Sequence, residues 1–577
     1  MALVSAVRVP ASRRAAVRRF ANSARTASFV WAAFLALLVG GPWLSTGYLF
    51  GTDWPGPRRY DLQTVVSSSV LLKAILAGAS WLIGGEATGK LFVLGLLFAA
   101  TTLAYRAVPV DGFLARAVGS TVYLVNPFVY GRIHYGQWFV LAGYAVIPWV
   151  ALRLRQLLSE PNLRASIGAA VSLTLLGILD LHLILIAVVL YAASSLTQTL
   201  SASNKLAYIT RLGQSLLTTV VLTLIASSYW IIPLLTGNGY EAQTLGQIGR
   251  ENLAVYSAVP DPNLGLVPNL LGLYGFWAED SGRFASMKLF VPLWPAMLAV
   301  LLSIGVVGVV ATFKTRRNHL SPWVAGLLLA GLIALVLEMG VSNPLSSGLV
   351  SWVDSHFSIY RGMRDAGKWA ALLAFVYSQL VALGSVAIIT WLKRKTQVSP
   401  HTDWLSSGAA GLLLALPLYY GNGLLFGMHG EIKPSPYPLG WYEADRVLAT
   451  DHHPGRALFL PWHEYMAYSF IQNQNKVVGP PAPTFFSVPV IVSTNPDVPG
   501  TPPSTDPDHA ALDALVRQGS HGGLWSPVLA KLNIKYVLVA REVDWESYRF
   551  LDGQAGLLKV GDFGSIVLYL TTALRGP

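Results

Sequence analysis

The sequence contains no cysteine and few charged residues. Without cysteine it can form no disulfide, thiolate nucleophile, iron–sulfur cluster or cysteine zinc site. Charged residues make up 12% of the 577 positions, whereas soluble globular proteins carry about 25%. Hydrophobic residues make up 53%, and the mean hydropathy is +0.50. This composition excludes an ordinary soluble domain, and it excludes a disordered chain, which needs low hydrophobicity and high charge density.

Long apolar runs are the main feature of what is present. A helix needs about 20 mostly apolar residues to cross a bilayer. Runs of this kind indicate an α-helical polytopic membrane protein with about 11 transmembrane helices. They cover residues 27–50, 88–107, 113–130, 138–153, 165–179, 182–200, 213–235, 290–313, 322–340, 369–392 and 405–427. A further apolar stretch, 63–83, contains Lys73 and is predicted to be a helix in the membrane interface.

The positions of the basic residues predict which loops face the cytoplasm. Residues 1–26 carry several arginines and no acidic residue, and the run 27–50 is too long for a typical signal peptide. We therefore expect an uncleaved first helix with a cytoplasmic N-terminus. With this orientation every cytoplasmic loop is basic, as membrane topology favours. The net charge of +12 then needs no nucleic-acid partner. The basic residues of these loops are Arg106, Arg116, Arg153, Arg155, Arg164, Lys205, Arg211, Lys314, Arg316, Arg317, Lys393, Arg394 and Lys395.

The chain changes character after residue 428, where proline becomes frequent and the apolar runs become short. An odd number of spans would place this part outside the cell. We predict a transmembrane domain over 27–428 and an extracytoplasmic α/β domain over 429–577. Short apolar runs and helical periodicity support the second domain. The predicted strands are 456–461 and 535–540, the predicted helices are 510–518 and 526–533, and 493–509 is predicted to be an exposed loop.

Three predicted external segments, 51–86, 237–288 and 341–368, are longer than topology requires, and long connections are often functional. In the first of them, Asp53 follows the first span closely. A carboxyl at a low-dielectric boundary can have a raised pKa and act as a general base. Arg58 and Arg59 could hold a phosphate. The alternative is a solvated loop in which Asp53 or Asp61 pairs with these arginines.

The third external segment ends with three cations, Arg361, Arg364 and Lys368, at spacings of three and four residues. On a helix they would share one face. Positive charge is not expected there from topology, so a site for an anionic head such as a lipid phosphate is one interpretation. The other is snorkelling at a helix end, with Asp365 as a local partner.

Two tight external turns carry further ionisable residues, which are costly at membrane depth and often functional. The turn at 126–138 offers Arg132 and His134, together with Tyr135 and Gln137. The turn at 178–183 places Asp180 and His182 in an apolar hairpin, and an Asp–His pair that only caps the turn is the alternative. Glu338 is a lone acid near the outer end of its span.

The aromatic residues Tyr274, Phe276 and Trp277 in the second external segment could stack on a sugar, although composition favours lipid anchoring. No metal-ligand spacing and no phosphate-binding glycine-rich loop is present. The sequence therefore predicts no definite cofactor, and it leaves a divalent cation open.

The segments NPFVYGR (126–132), LYGFW (273–277) and MRDAGKW (363–369) resemble those of membrane glycosyltransferases with the C-type fold, which use polyprenyl-phosphate sugars. They are similar to the glycosyltransferase part of mycobacterial arabinofuranosyltransferases, over roughly the first 430 residues. The resemblance implies that an acid in the first external loop is the catalytic base. Asp53 matches that position, and Asp61 matches a second loop acid only loosely.

These observations predict an enzyme that transfers a sugar from a polyprenyl-phosphate donor to an extracytoplasmic glycan, lipid or protein acceptor. Asp53 would be the base. The expected substrate-binding residues are Arg58, Arg59, Asp61, Arg132, His134, Asp180, His182, Arg361, Arg364 and Lys368. Two other classes stay open, namely a transporter or flippase of lipid-linked precursors and a noncatalytic scaffold for envelope assembly.

Overall fold

The computed structural model describes residues 11–62, 65–247, 252–314, 319–396, 403–495, 506–519 and 523–574. Most of the predicted basic N-terminal segment and the centre of the predicted loop 493–509 lie outside these ranges or have no described side chains. The part up to residue 428 is helical. Its helices are α1 (Ala11–Gly40), α2 (Val70–Ile83), α3 (Gly85–Ala107), α4 (Phe113–Leu124), α5 (Pro127–Tyr135), α6 (Trp138–Ser159), α7 (Leu163–Leu179), α8 (Leu183–Ser201), α9 (Lys205–Ala226), α10 (Ser228–Leu235), α11 (Tyr240–Gln247), α12 (Asn252–Val255), α13 (Leu266–Leu271), α14 (Trp294–Lys314), α15 (Ser321–Glu338), α16 (Pro344–His356), α17 (Ala370–Thr396), α18 (Asp403–Tyr420) and α19 (Leu425–Met428).

Eight helices in the described ranges are long and apolar enough to cross a membrane. A ninth span is formed if α18 and the short helical segment after it, bent by 66°, count as one. These correspond to nine of the predicted runs. The spans are Arg25–Leu44, Gly85–Ala107, Trp138–Ser159, Leu183–Ser201, Lys205–Ala226, Trp294–Lys314, Ser321–Glu338 and Ala366–Lys395.

The other two predicted runs, 113–130 and 165–179, form the shorter helices α4 and α7, of 12 and 17 residues. The first run is interrupted at Asn126, whose side chain accepts a hydrogen bond from the backbone N–H of Val129 and starts α5. Pro127 occupies the first turn of α5, where its missing N–H costs nothing. An N-cap followed by proline divides one apolar run into two helices.

Two of the basic loops predicted to be cytoplasmic, those after α3 and α6, meet at one end of the bundle. The guanidinium group of Arg106 lies 5.0 Å from the ring centre of Phe29. Arg155 donates to the carbonyl of Ala107 at 3.4 Å, which joins the end of α6 to the end of α3. The loop after α1, the turn after α5 and the segment before α17 lie at the opposite end, together with the C-terminal domain. This separation agrees with the topology predicted from the basic residues. Which end of the bundle faces the cytoplasm stays a prediction.

The C-terminal part is built around a mixed β-sheet. The strands are β1 (Arg456–Leu460), β2 (Met466–Ala467), β3 (Val477–Val478), β4 (Val490–Ile491), β5 (Ile534–Ala540), β6 (Leu557–Asp562) and β7 (Ile566–Thr571). Five of them form one sheet in the order β4-β1-β5-β7-β6. Strand β1 pairs with β4 and β5 in parallel, and β7 pairs with β5 and β6 antiparallel. Strands β2 and β3 form a separate antiparallel pair. The helices are α20 (Leu439–Ala449), α21 (Ala482–Phe485), α22 (Pro507–Gln518) and α23 (Trp525–Lys531).

Both faces of the sheet are covered, which explains why β5 is buried at every position. In β1, Phe459 faces a core that includes Trp441 of α20, while Leu458 and Leu460 face a core that includes Trp525 of α23. This alternation follows from the two-residue repeat of a strand. The predicted strands 456–461 and 535–540 and the predicted helices 510–518 and 526–533 are confirmed as elements, with small differences at their ends.

The loop after α1 is bound to the C-terminal domain by backbone hydrogen bonds. The backbone N–H of Tyr48 donates to the carbonyl of Ser435, and the reverse bond is also made, each at 2.9 Å. The backbone N–H of Gly479 donates to the carbonyl of Thr52 at 2.9 Å. Phe50 is fully buried within the aromatic core of the C-terminal domain. The first external loop and the C-terminal domain therefore form one packed body.

Arg58 and Arg59 extend this contact. Arg58 donates to the carboxylate of Asp445 at 2.6 Å and lies over the ring of Phe485 at 4.8 Å. The side chain of Arg59 donates to the carbonyl of Phe486. The sequence predicted that these two arginines bind phosphate. The structure places both against the C-terminal domain, where each already has an acceptor.

This contact predicts a stability effect at Asp445, which is largely buried and also accepts from the backbone N–H of Ser487 at 2.6 Å. Asp445→Asn should lower the free energy of unfolding by about 1–3 kcal/mol, because Arg58 and Ser487 lose a charged acceptor. Denaturant unfolding in detergent, followed by tryptophan fluorescence, measures the effect. The control is Glu546→Gln, which breaks the exposed pair with Arg549 and should change stability by no more than about 0.5 kcal/mol. Equal stabilities of the two variants would refute a stabilising role for the contact between Arg58 and Asp445.

Candidate functional site

Asp53 lies at the point where the first loop meets α5. Its backbone N–H donates to the carbonyl of Tyr135 at 2.7 Å. Gly51 and Trp54 close a tight turn around it with two backbone hydrogen bonds of 2.9 Å. A Cβ atom on Gly51 would come within 2.6 Å of the Cα of Gly136, so two glycines are needed for this close approach. The position of Asp53 is therefore set by the backbone.

The carboxyl group of Asp53 is exposed to solvent, and two side chains hold it. Gln137 donates to Oδ2 at 3.1 Å, and the hydroxyl of Tyr465 donates to Oδ1 at 3.1 Å. Asp53 is accessible to solvent. The protein packed around it nevertheless displaces part of the water that would stabilise the charged form, which raises the pKa of Asp53. The two hydrogen bonds act in the opposite direction and favour the carboxylate. The result is an accessible carboxylate with increased basicity.

A buried ion pair lies behind this carboxylate. Arg132 is 1% exposed and donates both to the side-chain oxygen of Gln137 and to the carboxylate of Asp365. Its guanidinium group also lies 4.6 Å from the ring centre of Phe276. The sequence predicted Arg132 to be a substrate-binding residue. In the structure it orients Gln137, and through Gln137 it orients Asp53.

Asp365 belongs to the segment that carries the three predicted cations. The segment forms two short 3-10 turns, Ser358–Met363 and Ala366–Trp369, so the three cations do not share one helix face. Arg361 pairs with Asp354 at 3.3 Å, whereas Arg364 lies over the ring of Tyr256 at 4.7 Å. The 3-10 turns direct each cation to a different neighbour.

Lys368 is the most enclosed of these cations, with 7% of its surface exposed. Its Nζ lies 3.4 Å from the carbonyl of Gly362. Among the described residues, neither Lys368 nor Arg364 has a carboxylate within 4.0 Å. Lys368 interacts electrostatically with Asp180, Asp365 and Arg364 at longer range. Two cations without a direct carboxylate partner therefore lie next to the ion pair of Arg132.

The turn between α7 and α8 packs against this segment. Asp180 is largely buried and accepts from the backbone N–H of His182 at 2.8 Å, and its carboxylate lies 3.0 Å from the ring Nδ1 of the same histidine. It also accepts from the backbone N–H of Leu183 at 3.3 Å. The predicted Asp–His cap is thus present. The histidine ring borders Gly362, so the capped turn supports the cation segment.

Three other acids and bases named from the sequence have different surroundings. His134 is buried 3.8 Å from Glu431 and packs on the ring of Phe284. Asp61 is exposed at the end of the first loop. Glu338 is completely buried near Arg132 and, within the described part of the chain, its carboxylate makes no hydrogen bond.

A row of aromatic side chains forms the surface between Asp53 and Arg364. Tyr135, whose carbonyl binds Asp53, has its ring centre 5.1 Å from that of Trp277. Trp277 in turn lies 4.8 Å from Tyr256, the ring that supports Arg364. All three rings are partly exposed. The sequence favoured lipid anchoring for Trp277, but the structure places its ring among these protein side chains.

An apolar cavity of about 330 Å³ lies between α4, α14, α15, α17 and α18. Leu373, Val376 and Leu380 contribute to it from α17, the helix that begins directly after Lys368. The cavity is large enough to accept part of a hydrocarbon chain, and its lining has little polar surface to oppose one.

Sequence reasoning missed Tyr465, and it missed Tyr256, the ring that supports Arg364. Tyr465 is the more distant of the two. It stands 412 positions after Asp53, in a different domain, and no local pattern distinguishes it from the other tyrosines. Gln137 was noted in its turn but was not included among the predicted site residues. No group of three or more His, Asp or Glu side chains within the described ranges is arranged to hold a metal ion.

The ion pair predicts a large stability effect. Asp365→Asn should destabilise the protein by about 3–5 kcal/mol, because it leaves Arg132 charged and buried without a carboxylate partner. Replacing both residues, as Arg132→Met with Asp365→Asn, should recover part of this loss. Asp562→Asn, which removes the partly exposed pair with Arg541, is the control and should cost no more than about 1 kcal/mol. Denaturant unfolding measures all three variants, and equal losses for the two single variants would contradict the assignment.

No family model and no curated protein matches the sequence. Among solved structures, the chain matches cryo-EM structures of arabinofuranosyltransferase AftD from mycobacteria, including one of a mutant, with TM-scores of 0.58 and 0.57. The identities are 14% and 16%, and each match covers 95% of this chain but only 40% and 41% of the other. The chain thus spans about two fifths of the length of that protein. The resemblance predicted from the sequence is confirmed at the level of the fold. Over 95% of its own length, this chain shares its fold with part of a mycobacterial arabinofuranosyltransferase.

Proposed function

We propose that this protein is an integral membrane glycosyltransferase that transfers a sugar from a polyprenyl-phosphate donor to an extracytoplasmic glycan, lipid or protein acceptor. The observation that carries the proposal is an exposed, doubly hydrogen-bonded carboxylate, Asp53, that shares a buried ion pair, Arg132–Asp365, with two cations. These cations, Arg364 and Lys368, have no direct carboxylate partner among the described residues. The fold shared with an arabinofuranosyltransferase supports the reaction class.

Asp53 serves as the general base. The acceptor hydroxyl oxygen attacks the anomeric carbon, a new carbon–oxygen bond forms, and the hydroxyl proton passes to the carboxylate of Asp53. A raised pKa makes this carboxylate a stronger base than an ordinary aspartate. The hydrogen bonds from Gln137 and Tyr465 hold it in place and keep it ionised.

Arg364 and Lys368 bind the donor phosphate. As the bond between the anomeric carbon and the phosphate oxygen breaks, its electron pair leaves with the phosphate, and the nearby positive charges stabilise that anion. Lys368 is enclosed by protein, so its interaction with an anion is screened less than it would be at the surface. Asp180 and His182 support the segment that carries Arg364 and Lys368, and they do this without touching the donor.

The apolar cavity is the proposed location for part of the polyprenyl chain. Helix α17 connects the two parts of this donor site, since Lys368 precedes the helix and Leu373 and Leu380 line the cavity. A phosphate bound at the N-terminal end of α17 would have its lipid chain among the membrane helices. The hydrophobic effect favours that location for the chain.

The extracytoplasmic placement rests on charge. The basic loops lie at the end of the bundle opposite Asp53, and such loops usually face the cytoplasm. The C-terminal domain supplies Tyr465 to the site, which makes it the natural surface for an acceptor. A transporter or flippase of lipid-linked precursors and a noncatalytic scaffold stay as the alternatives, and sugar transfer by purified protein separates them from the enzyme.

The first test is Asp53→Asn, which keeps the shape of the side chain and removes the base. The rate of sugar transfer from a polyprenyl-phosphate sugar should fall at least about 100-fold. Purified, folded protein in detergent or vesicles is assayed with radiolabelled donor. The control Asp111→Asn changes an exposed acid at the opposite end of the bundle and should leave the rate unchanged. Near-normal transfer by Asp53→Asn would rule out its role as the base, and movement of label without transfer would favour the flippase.

The second test uses the pH dependence. An active base must be ionised, so the rate should rise with pH through the pKa of Asp53, at a higher pH than for an ordinary aspartate. Tyr465→Phe removes a hydrogen bond that favours the charged form, so it should raise this pKa further and move the acidic limb of kcat/KM to higher pH. Tyr419→Phe, an exposed tyrosine of α18, is the control. An unchanged limb in Tyr465→Phe would show that Tyr465 does not act on Asp53.

A further inference from the structure

We infer that Tyr135, Trp277 and Tyr256 form the subsite that receives the sugar ring of the donor, between Asp53 and Arg364. The inference rests on the proposed function and adds a binding role for three aromatic residues to it.

The reaction itself restricts where the sugar can lie. The anomeric carbon gains a bond to the acceptor oxygen, whose proton goes to Asp53, and it loses its bond to the phosphate oxygen, which keeps the electron pair. The base is therefore on the acceptor side of the sugar, and the cations are on the phosphate side. A ring that reacts in this way must occupy the space that separates Asp53 from Arg364 and Lys368.

The three aromatic side chains line that space as a continuous row. The row begins at Tyr135, whose carbonyl accepts the backbone N–H of Asp53 at 2.7 Å. The rings of Tyr135 and Trp277 meet at 70°, and those of Trp277 and Tyr256 meet at 85°. The row ends where Arg364 lies 4.7 Å above Tyr256. Each step is a direct contact, so the row joins the base to the cation.

The chemistry of the row suits a sugar. Rings that meet edge to face leave parts of their faces uncovered, and the C–H surface of a sugar packs on such faces. Aromatic rings also bring no full charge next to the reacting carbon.

The row is held on a rigid support. Phe276, the neighbour of Trp277, is buried and lies on the guanidinium group of Arg132. The side chain of Glu279 accepts from the backbone N–H of Gly275 at 3.2 Å and closes the loop in which Trp277 lies. The ion pair that orients Asp53 therefore also fixes the aromatic row, so the base and the sugar subsite keep a constant separation.

Binding measurements with and without the sugar test the inference. The probes are polyprenyl phosphate and the same lipid carrying arabinose or mannose, added to the full-length protein in vesicles. Trp277→Ala should weaken binding of the preferred glycosylated lipid by about 10-fold, because the sugar loses the ring on which it packs. Binding of polyprenyl phosphate should be unchanged. Trp277→Phe keeps an aromatic ring, so its effect should be smaller.

Trp391→Ala is the matched control, because this tryptophan is exposed near the far end of α17 and should affect neither probe. Unchanged binding of both lipids by Trp277→Ala would overturn the subsite. Equal weakening of both lipids would also overturn it and would identify Trp277 as a lipid anchor. A failure of the proposed function is distinguishable from a failure of the subsite. If the proposed function is wrong, the wild-type protein transfers no sugar in the transfer assay, whereas the binding comparison tests the subsite independently.

Discussion

The buried ion pair between Arg132 and Asp365 is the interaction on which the rest of the candidate site depends. Arg132 comes from the short helix α5, and Asp365 comes from the segment before α17, 233 positions later. The pair joins α5, which contacts the loop that carries Asp53, to the segment that carries the cations. Because a buried charge without its partner is costly, the protein cannot separate these elements without a large loss of stability. The proposed base and the proposed phosphate-binding cations are thus held in fixed relative positions, as efficient transfer would require.

The same interaction explains the roles of neighbouring groups. Gln137 connects Arg132 to the carboxylate of Asp53, and Phe276 connects it to the loop that carries Trp277. The C-terminal domain completes the arrangement on the other side of Asp53 through Tyr465. The contacts of Arg58 with Asp445 and Phe485 hold that domain against the first loop. Several charged residues that the sequence suggested as substrate ligands therefore serve to position the few groups of the proposed active site.

The outcome for individual residues shows how far local patterns reach. Asp53 was identified from its position after the first span, and the structure gives it an exposed carboxylate. Lys368 was identified because positive charge is unexpected at that end. Spacing suggested that Arg361 and Lys368 share a helix face, but the segment forms 3-10 turns instead. From the sequence, Arg58 was predicted to bind a phosphate. Its actual partner, Asp445, lies 387 positions away, and no local pattern reveals the pair.

The membrane class, most of the spans, the C-terminal strands and the grouping of basic residues in particular loops could all be predicted from the amino-acid sequence. These features follow from composition and from periodicity over a few residues, which depend on the solvent around each segment. Which charges are paired, and which stay without a direct partner, depends on tertiary packing. Tyr465 approaches Asp53 only after a domain has docked, and a hydrogen bond across 412 positions depends on that packing rather than on any neighbour in the chain.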